Sequence, residues 1–206
     1  MCSPIMTDAH AGHVGRLLVA ALHQAISDEL PMRMEFYEHW LGGERLRDGG
    51  VGLAPMTAVI GFLRAEGEPY HAVMARAGRF AADWTRDAMP VVRRRVLLAL
   101  PRWWRSRAVL RVAADAIRAG YAPSTVVVRV RKGRARIEVR QSLFCRVRDV
   151  QPAPQCDFHA ALISGLLASF NVPASFRIEA CAGTGQGSCV VTCDLTSAAG
   201  GRDVAS

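Results

Sequence analysis

Residues 125–139, TVVVRVRKGRARIEV, alternate apolar and charged side chains on either side of Lys132-Gly133. A period of two puts Val128, Val130, Ile137 and Val139 on one face and the arginines on the other, the pattern of a half-buried strand pair. The Lys-Gly step between the two runs predicts a tight β-hairpin with the glycine in its turn. Upstream of Pro123 the period is helical, so this stretch marks where helix gives way to sheet.

Working upstream, residues 14–27 (VGRLLVAALHQAIS) carry apolar residues at helical spacing, and Pro31 interrupts the pattern. Residues 32–41 (MRMEFYEHWL) suit helix or strand, and the glycine-rich 42–55 (GGERLRDGGVGLAP) reads as a loop. Residues 56–63 and 69–85 are helical again, with Val73, Ala77, Phe80 and Trp84 expected on one apolar face. Gly78 in that helix costs about 1 kcal/mol relative to alanine, which is tolerable where another helix packs closely. Residues 90–119 hold one or two helices, interrupted at Pro101 and ended at Gly120.

Downstream lie a connector (145–155), an apolar helix at 157–170, and a second hairpin formed by 174–181 and 188–195. The order of helices, hairpin, helix, hairpin specifies an α+β fold, with the helical N-terminal half packed on an antiparallel sheet of about four strands.

The second hairpin turns through ACAGTGQGSC, residues 180–189. Its glycines are not a dinucleotide fingerprint, because a β-branched strand and not a helix follows, and no Lys-Ser/Thr pair completes a phosphate loop. Its cysteines carry more information. Residues two apart on a strand share a face, so Glu179 and Cys181 are expected together, as are Cys189, Val191 and Cys193. A register with Cys181 opposite Cys189 would bring both thiols to one surface that Cys156 can reach. The residues alone leave three readings open: a metal site, buried thiols, or a cross-strand disulfide.

The chain has 206 residues, half of them apolar, and a net charge of +8. Lys132 is the only lysine, and a preference for arginine also follows from GC-rich coding, so the charge alone says little about an anionic partner. No segment approaches the ~20 apolar residues of a membrane span. The N-terminus lacks the basic-then-apolar order of a secretory signal, and we expect a cytoplasmic protein with reduced thiols. Short flexible ends are expected over the first dozen residues and over 196–206. Residues 91–107, VVRRRVLLALPRWWRSR, suit a membrane surface or nucleic acid, or more simply a solvated arginine face behind an apolar stripe, and 93–107 is the candidate for contact with a membrane surface or an acidic partner.

Together, Cys156-Asp157-Phe158 opening an apolar helix and the Cys181, Gly185, Cys189 spacing resemble the 4-vinyl-reductase domain, a small-molecule-binding module related in fold to transport-particle subunits. VMARAGRFAADW (73–84) resembles that domain's small-residue helix. The resemblance divides the chain into an N-terminal arm and helix (1–44), a ligand-binding domain (45–195) and a tail (196–206). It implies a structural zinc held by Cys156, Glu179, Cys181 and Cys189. The family spacing is Glu-x-x-Cys, whereas here Glu179 stands two before Cys181, with Ile178 at the expected place; Cys193 or Cys145 could substitute.

What the resemblance implies for function is a homodimeric sensor or carrier for a small hydrophobic ligand, aromatic or tetrapyrrole-like, without direct nucleic-acid binding. Met32, Met34, Phe36, Tyr37, Trp40, Phe62, Met74, Phe80 and Trp84 are candidates to line such a pocket or to form ordinary core. The alternative is an accessory protein or reductase in bacteriochlorophyll or other tetrapyrrole metabolism, with His39, His71 or His159 as possible haem or metal ligands. No catalytic residue stands out.

Overall fold

The computed structural model describes residues 13–41, 51–146 and 149–196. The expected tails at 1–12 and 197–206, Cys2, and most of the expected loop at 42–50 lie outside the described residues. The described chain runs β1 (His13–Val14), α1 (Arg16–Glu29), α2 (Met34–Leu41), β2 (Val51–Gly52), α3 (Leu53–Ala65), α4 (Glu68–Asp87), α5 (Val91–Ala99) and α6 (Arg102–Gly120). It continues through β3 (Thr125–Arg131), β4 (Arg134–Arg140), α7 (Asp157–Ser169), β5 (Ser175–Ala180) and β6 (Cys189–Asp194).

This is the expected α+β fold: among the described residues there are seven helices and a four-stranded antiparallel sheet in the order β3-β4-β6-β5. The ambiguous 32–41 segment is a 3-10 turn (Pro31–Arg33) followed by α2. Leu53-Ala54-Pro55, expected in the loop, already form the first turn of α3, where a proline without its N–H costs no helical hydrogen bond. β1 and β2 form a two-residue ladder that the sequence pattern does not announce.

The first hairpin closes as its pattern predicts. Arg131 pairs with Arg134, and Lys132 and Gly133 take φ of 47° and 75°, the paired left-handed conformation of a two-residue turn. Val126, Ala135, Ile137 and Val139 are buried and Val128 and Val130 half-buried, while Arg129, Arg131, Arg134, Arg136 and Arg140 face solvent. The buried face of the sheet packs against α6 and α7.

The helical layer is built around α4, which lies between α1 and α7. Its buried face is Val73, Met74, Ala77, Gly78, Ala81 and Ala82; Phe80 and Trp84, expected on that face, stack on each other at its half-buried margin. Small side chains let the α4 and α7 backbones approach. A Cβ on Gly78 would lie 2.5 Å from the Phe158 carbonyl oxygen and 2.7 Å from Ala161 Cβ, and a Cβ on Gly165 would lie 2.8 Å from Ala82 Cβ. The close partner that makes a mid-helix glycine tolerable is α7.

Gly78→Ala should therefore lower stability by about 1–3 kcal/mol despite alanine's better helix propensity, because overpacking at backbone contact dominates. Gly61 in α3, with nothing within 4 Å of an added Cβ, is the internal control. Gly61→Ala should gain up to about 1 kcal/mol. Urea unfolding of both variants checks the pair.

Candidate metal centre

Four cysteines from four separate segments meet at one end of the sheet. Cys145 lies in a 3-10 turn (Leu143–Cys145) after β4, Cys156 is the residue before α7, Cys181 follows β5, and Cys189 begins β6. All four are buried, and their sulfur atoms lie within 4.8 Å of one another. Cys145 Sγ is 3.5 Å from Cys156, 3.4 Å from Cys181 and 3.2 Å from Cys189, and Cys156 is 3.2 Å from Cys181. All are free thiols. At a zinc–sulfur distance of about 2.3 Å, a tetrahedral site has sulfur–sulfur edges of about 3.8 Å, so these four edges need lengthen only slightly to hold such an ion.

Local structure aims each thiol inward. The guanidinium of Arg64 in α3 donates to the Phe144 carbonyl at 2.5 Å and ties down the turn that carries Cys145. The Gln151 N–H donates to the Gly183 carbonyl at 2.8 Å, joining the connector before Cys156 to the turn after Cys181. That turn is a 3-10 segment (Ala182–Thr184) ended by left-handed Gly185, so the glycine run acts as a bend.

The electrostatics suit a cation. The thiols of Cys145, Cys156 and Cys189 and the backbone N–H of Gln155 (3.2 Å) hold Cys181 well below the usual thiol range. The Ala182 N–H approaches Cys189 Sγ at 3.5 Å, and Cys189 is lowered too, chiefly through its hydrogen bonds with Cys145 and Cys156. Cys156 is pushed far up by its hydrogen bonds to Cys145, Cys181 and Cys189 and by burial. Without a cation the cluster therefore favours the thiolate at Cys181 and Cys189 and opposes it at Cys145 and Cys156, and a divalent ion is what would release the remaining protons. Cys156 also sits at the N-terminus of α7, whose dipole favours negative charge.

Of the four ligands that the resemblance implies, the structure brings Cys156, Cys181 and Cys189 together and leaves Glu179 out. Its carboxylate is on the solvent face, paired with Arg136. The cause is a β-bulge. Ile178 pairs with Val191 and Ala180 with Val190, so Glu179 is an extra residue on β5 and strict alternation fails between it and Cys181. The fourth thiol is Cys145, eleven residues before Cys156 on the chain in no recognisable ligand spacing. Cys193, the other possible substitute, sits four residues along β6 from Cys189, about 13 Å away on an extended strand. It is a plain core thiol, its pKa pushed up to about 12 by burial.

The histidines do not converge. His39 is exposed on α2, and His71 Nδ1 lies 2.9 Å from Asp157 at the start of α7. His159, fully buried, shares a 3.1 Å hydrogen bond with Tyr121 through Nε2, and burial lowers its pKa to about 4. The aromatic candidates for a pocket also scatter: Tyr37 and Met74 are core, Met32, Phe36 and Phe62 are exposed, and the others are half-buried. Between α1, α4, α6 and α7 a narrow apolar crevice of about 10 Å³ reaches Tyr121 and Phe158, room for about one water.

No protein-family model matches the chain, and no curated protein matches it in sequence. No described helix is long and apolar enough to cross a membrane.

Two outcomes are expected here. Glu179→Gln should change stability by less than about 1 kcal/mol in thermal melts, since it removes only an exposed ion pair. His159 has a folded-state pKa below its unfolded value of about 6.5, so its contribution is intact above pH ~6.5 and is lost as pH falls from there toward 4. Replacing His159 with Gln should flatten that part of the stability–pH curve.

Proposed function

We propose that the protein is a small-ligand-binding module whose fold is closed by one structural zinc ion on Cys145, Cys156, Cys181 and Cys189. The observation that carries the metal reading is the convergence of four buried sulfurs from four chain segments, while Cys193 packs apart as ordinary core. Four thiolates around one ion form a closed tetrahedral set with no open position, which suits a structural and not a catalytic ion. Backbone N–H groups of Gln155 and Ala182 supply outer hydrogen bonds of the kind that orient thiolate ligands.

Elemental analysis of protein purified without chelator should find about one zinc per chain. Cys145→Ser and Cys181→Ser should each reduce metal content and lower stability by more than about 2 kcal/mol, because binding energy of a structural zinc is folding energy. Glu179→Gln should keep the full metal content. A metal-free wild type, or a Glu179 variant that loses zinc while Cys145→Ser keeps it, would sink this assignment. A red, iron-containing protein would replace zinc with an iron tetrathiolate.

The ligand reading rests on the 4-vinyl-reductase resemblance and on the apolar crevice that reaches Tyr121, whose hydroxyl is hydrogen-bonded to His159. Widening that crevice would admit an apolar molecule with one polar group for the pair to meet. The alternative, a role in tetrapyrrole metabolism as accessory protein or reductase, has the same resemblance behind it. Native mass spectrometry of freshly purified protein should show a bound apolar small molecule, and a tetrapyrrole would declare itself by visible absorption. Failure of every aromatic compound and tetrapyrrole to displace a hydrophobic dye would rule out the binding function and leave the metal assignment standing.

A further inference from the structure

The elbow between α5 and α6 reverses the polarity expected of a surface helix. Its inward contact is Leu97, which is buried, whereas Val92 and Val96 on its outward side are 73 % and 55 % exposed. Val92, Val96 and Ala99 follow at i, i+4 and i+7 and make one outward apolar stripe. At the start of α6, Trp103 and Trp104 are 54 % and 50 % exposed, with ring centroids 4.2 Å apart. The corner between the helices is held firmly: Arg105 donates to the carbonyls of Leu100 (2.9 Å) and Phe170 (3.3 Å).

The charge around these apolar groups has one sign. Residues 88–114 contain seven arginines and no acidic residue. Arg94 reaches Asp87 at 3.6 Å, but Arg93 and Arg95 are exposed with no carboxylate partner among the described residues. Arg107 lies over the Trp103 ring at 5.6 Å. Beside the indoles a cleft of about 410 Å³ opens between α6 and the β3–β4 turn, and Arg102, Arg107 and Lys132 line it.

We propose that this elbow docks on an anionic bilayer surface. Val92, Val96, Trp103 and Trp104 enter the boundary between headgroups and acyl chains, Arg93 and Arg95 meet lipid phosphates, and the cleft accepts a headgroup. Indole rings prefer that boundary, and an apolar stripe flanked by arginines is the polarity of a helix lying in the interface plane. A second copy across a two-fold axis would set Arg93 and Arg95 near their own counterparts, with no acidic residue in 88–114 to offset them. A nucleic-acid backbone would engage the arginines and leave the valine stripe exposed.

Vesicle flotation of the full-length chain tests this. It should bind vesicles containing about one third phosphatidylglycerol at least tenfold more tightly than pure phosphatidylcholine, and high salt should weaken the binding. Indole emission should shift to the blue on binding, and the shift should disappear when Trp103 and Trp104 are both replaced by alanine. Arg93→Glu with Arg95→Glu should weaken binding at least tenfold while circular dichroism stays unchanged. Val92→Ser with Val96→Ser, which keeps every charge, should weaken it at least threefold. Equal affinity for both vesicle types, or unchanged binding after the arginine reversals, would overturn the proposal. So would a dimer that the valine replacements convert to monomer, or tighter binding to duplex DNA than to the anionic vesicles.

Discussion

The backbone contact between α4 and α7 is the constraint from which the other placements follow. Gly78 and Gly165 leave no room for a side chain between the two helices, so α7 can lie against α4 in only one way. That contact sets both ends of α7. Cys156 stands just before its first turn and His159 within it, and its C-terminus leads into β5, which must then reach the open side of β6. A helix displaced by one side-chain layer would carry Cys156 out of reach of the three sulfurs it meets.

The thiol cluster is a second closure, at the opposite end of the connecting segments. It joins the turn after the first hairpin, the start of α7 and both strands of the second hairpin. Outside the sheet ladder these segments are held by contacts such as the Gln151 N–H to the Gly183 carbonyl, and the Arg64 side chain supplies another hold on Phe144. An ion with four sulfur ligands would add four strong bonds where the fold has loops and irregular turns, which is where a small domain gains most from a staple. The bulge at Glu179 belongs to the same design, since it turns a carboxylate outward to Arg136 and lets Cys181 point in.

The proposed binding surfaces are on other parts of the molecule. The four-thiol cluster lies at the end of the sheet where β6 begins, while the cleft near Trp103 is lined by the β3–β4 turn and by Leu195 after β6 ends. β6 separates the two along its length. A rigid, metal-closed sheet end and a corner fixed by Arg105 would hold the basic and aromatic elbow in one orientation, which suits docking by shape as well as by charge.

The periodicities determined the architecture. Alternation over 125–139, apolar spacing over 157–170 and the Lys132-Gly133 turn each specify local structure through contacts a few residues apart, and the helices, hairpins and sheet follow from them. The glycine at 78 even announced its close partner, because an unfavourable residue in a good helix requires a reason. The ligand set is different. Cys156, Cys181 and Cys189 were legible from their positions at the ends of elements. Cys145 stood only as a substitute beside Cys193, and the outward turn of Glu179 was not legible, since a 3-10 turn after β4 has no periodic signal and one extra residue on β5 reverses which side chains face inward. Strand phase and the meeting of distant thiols depend on pairings across the whole sheet, and only the tertiary structure decides those.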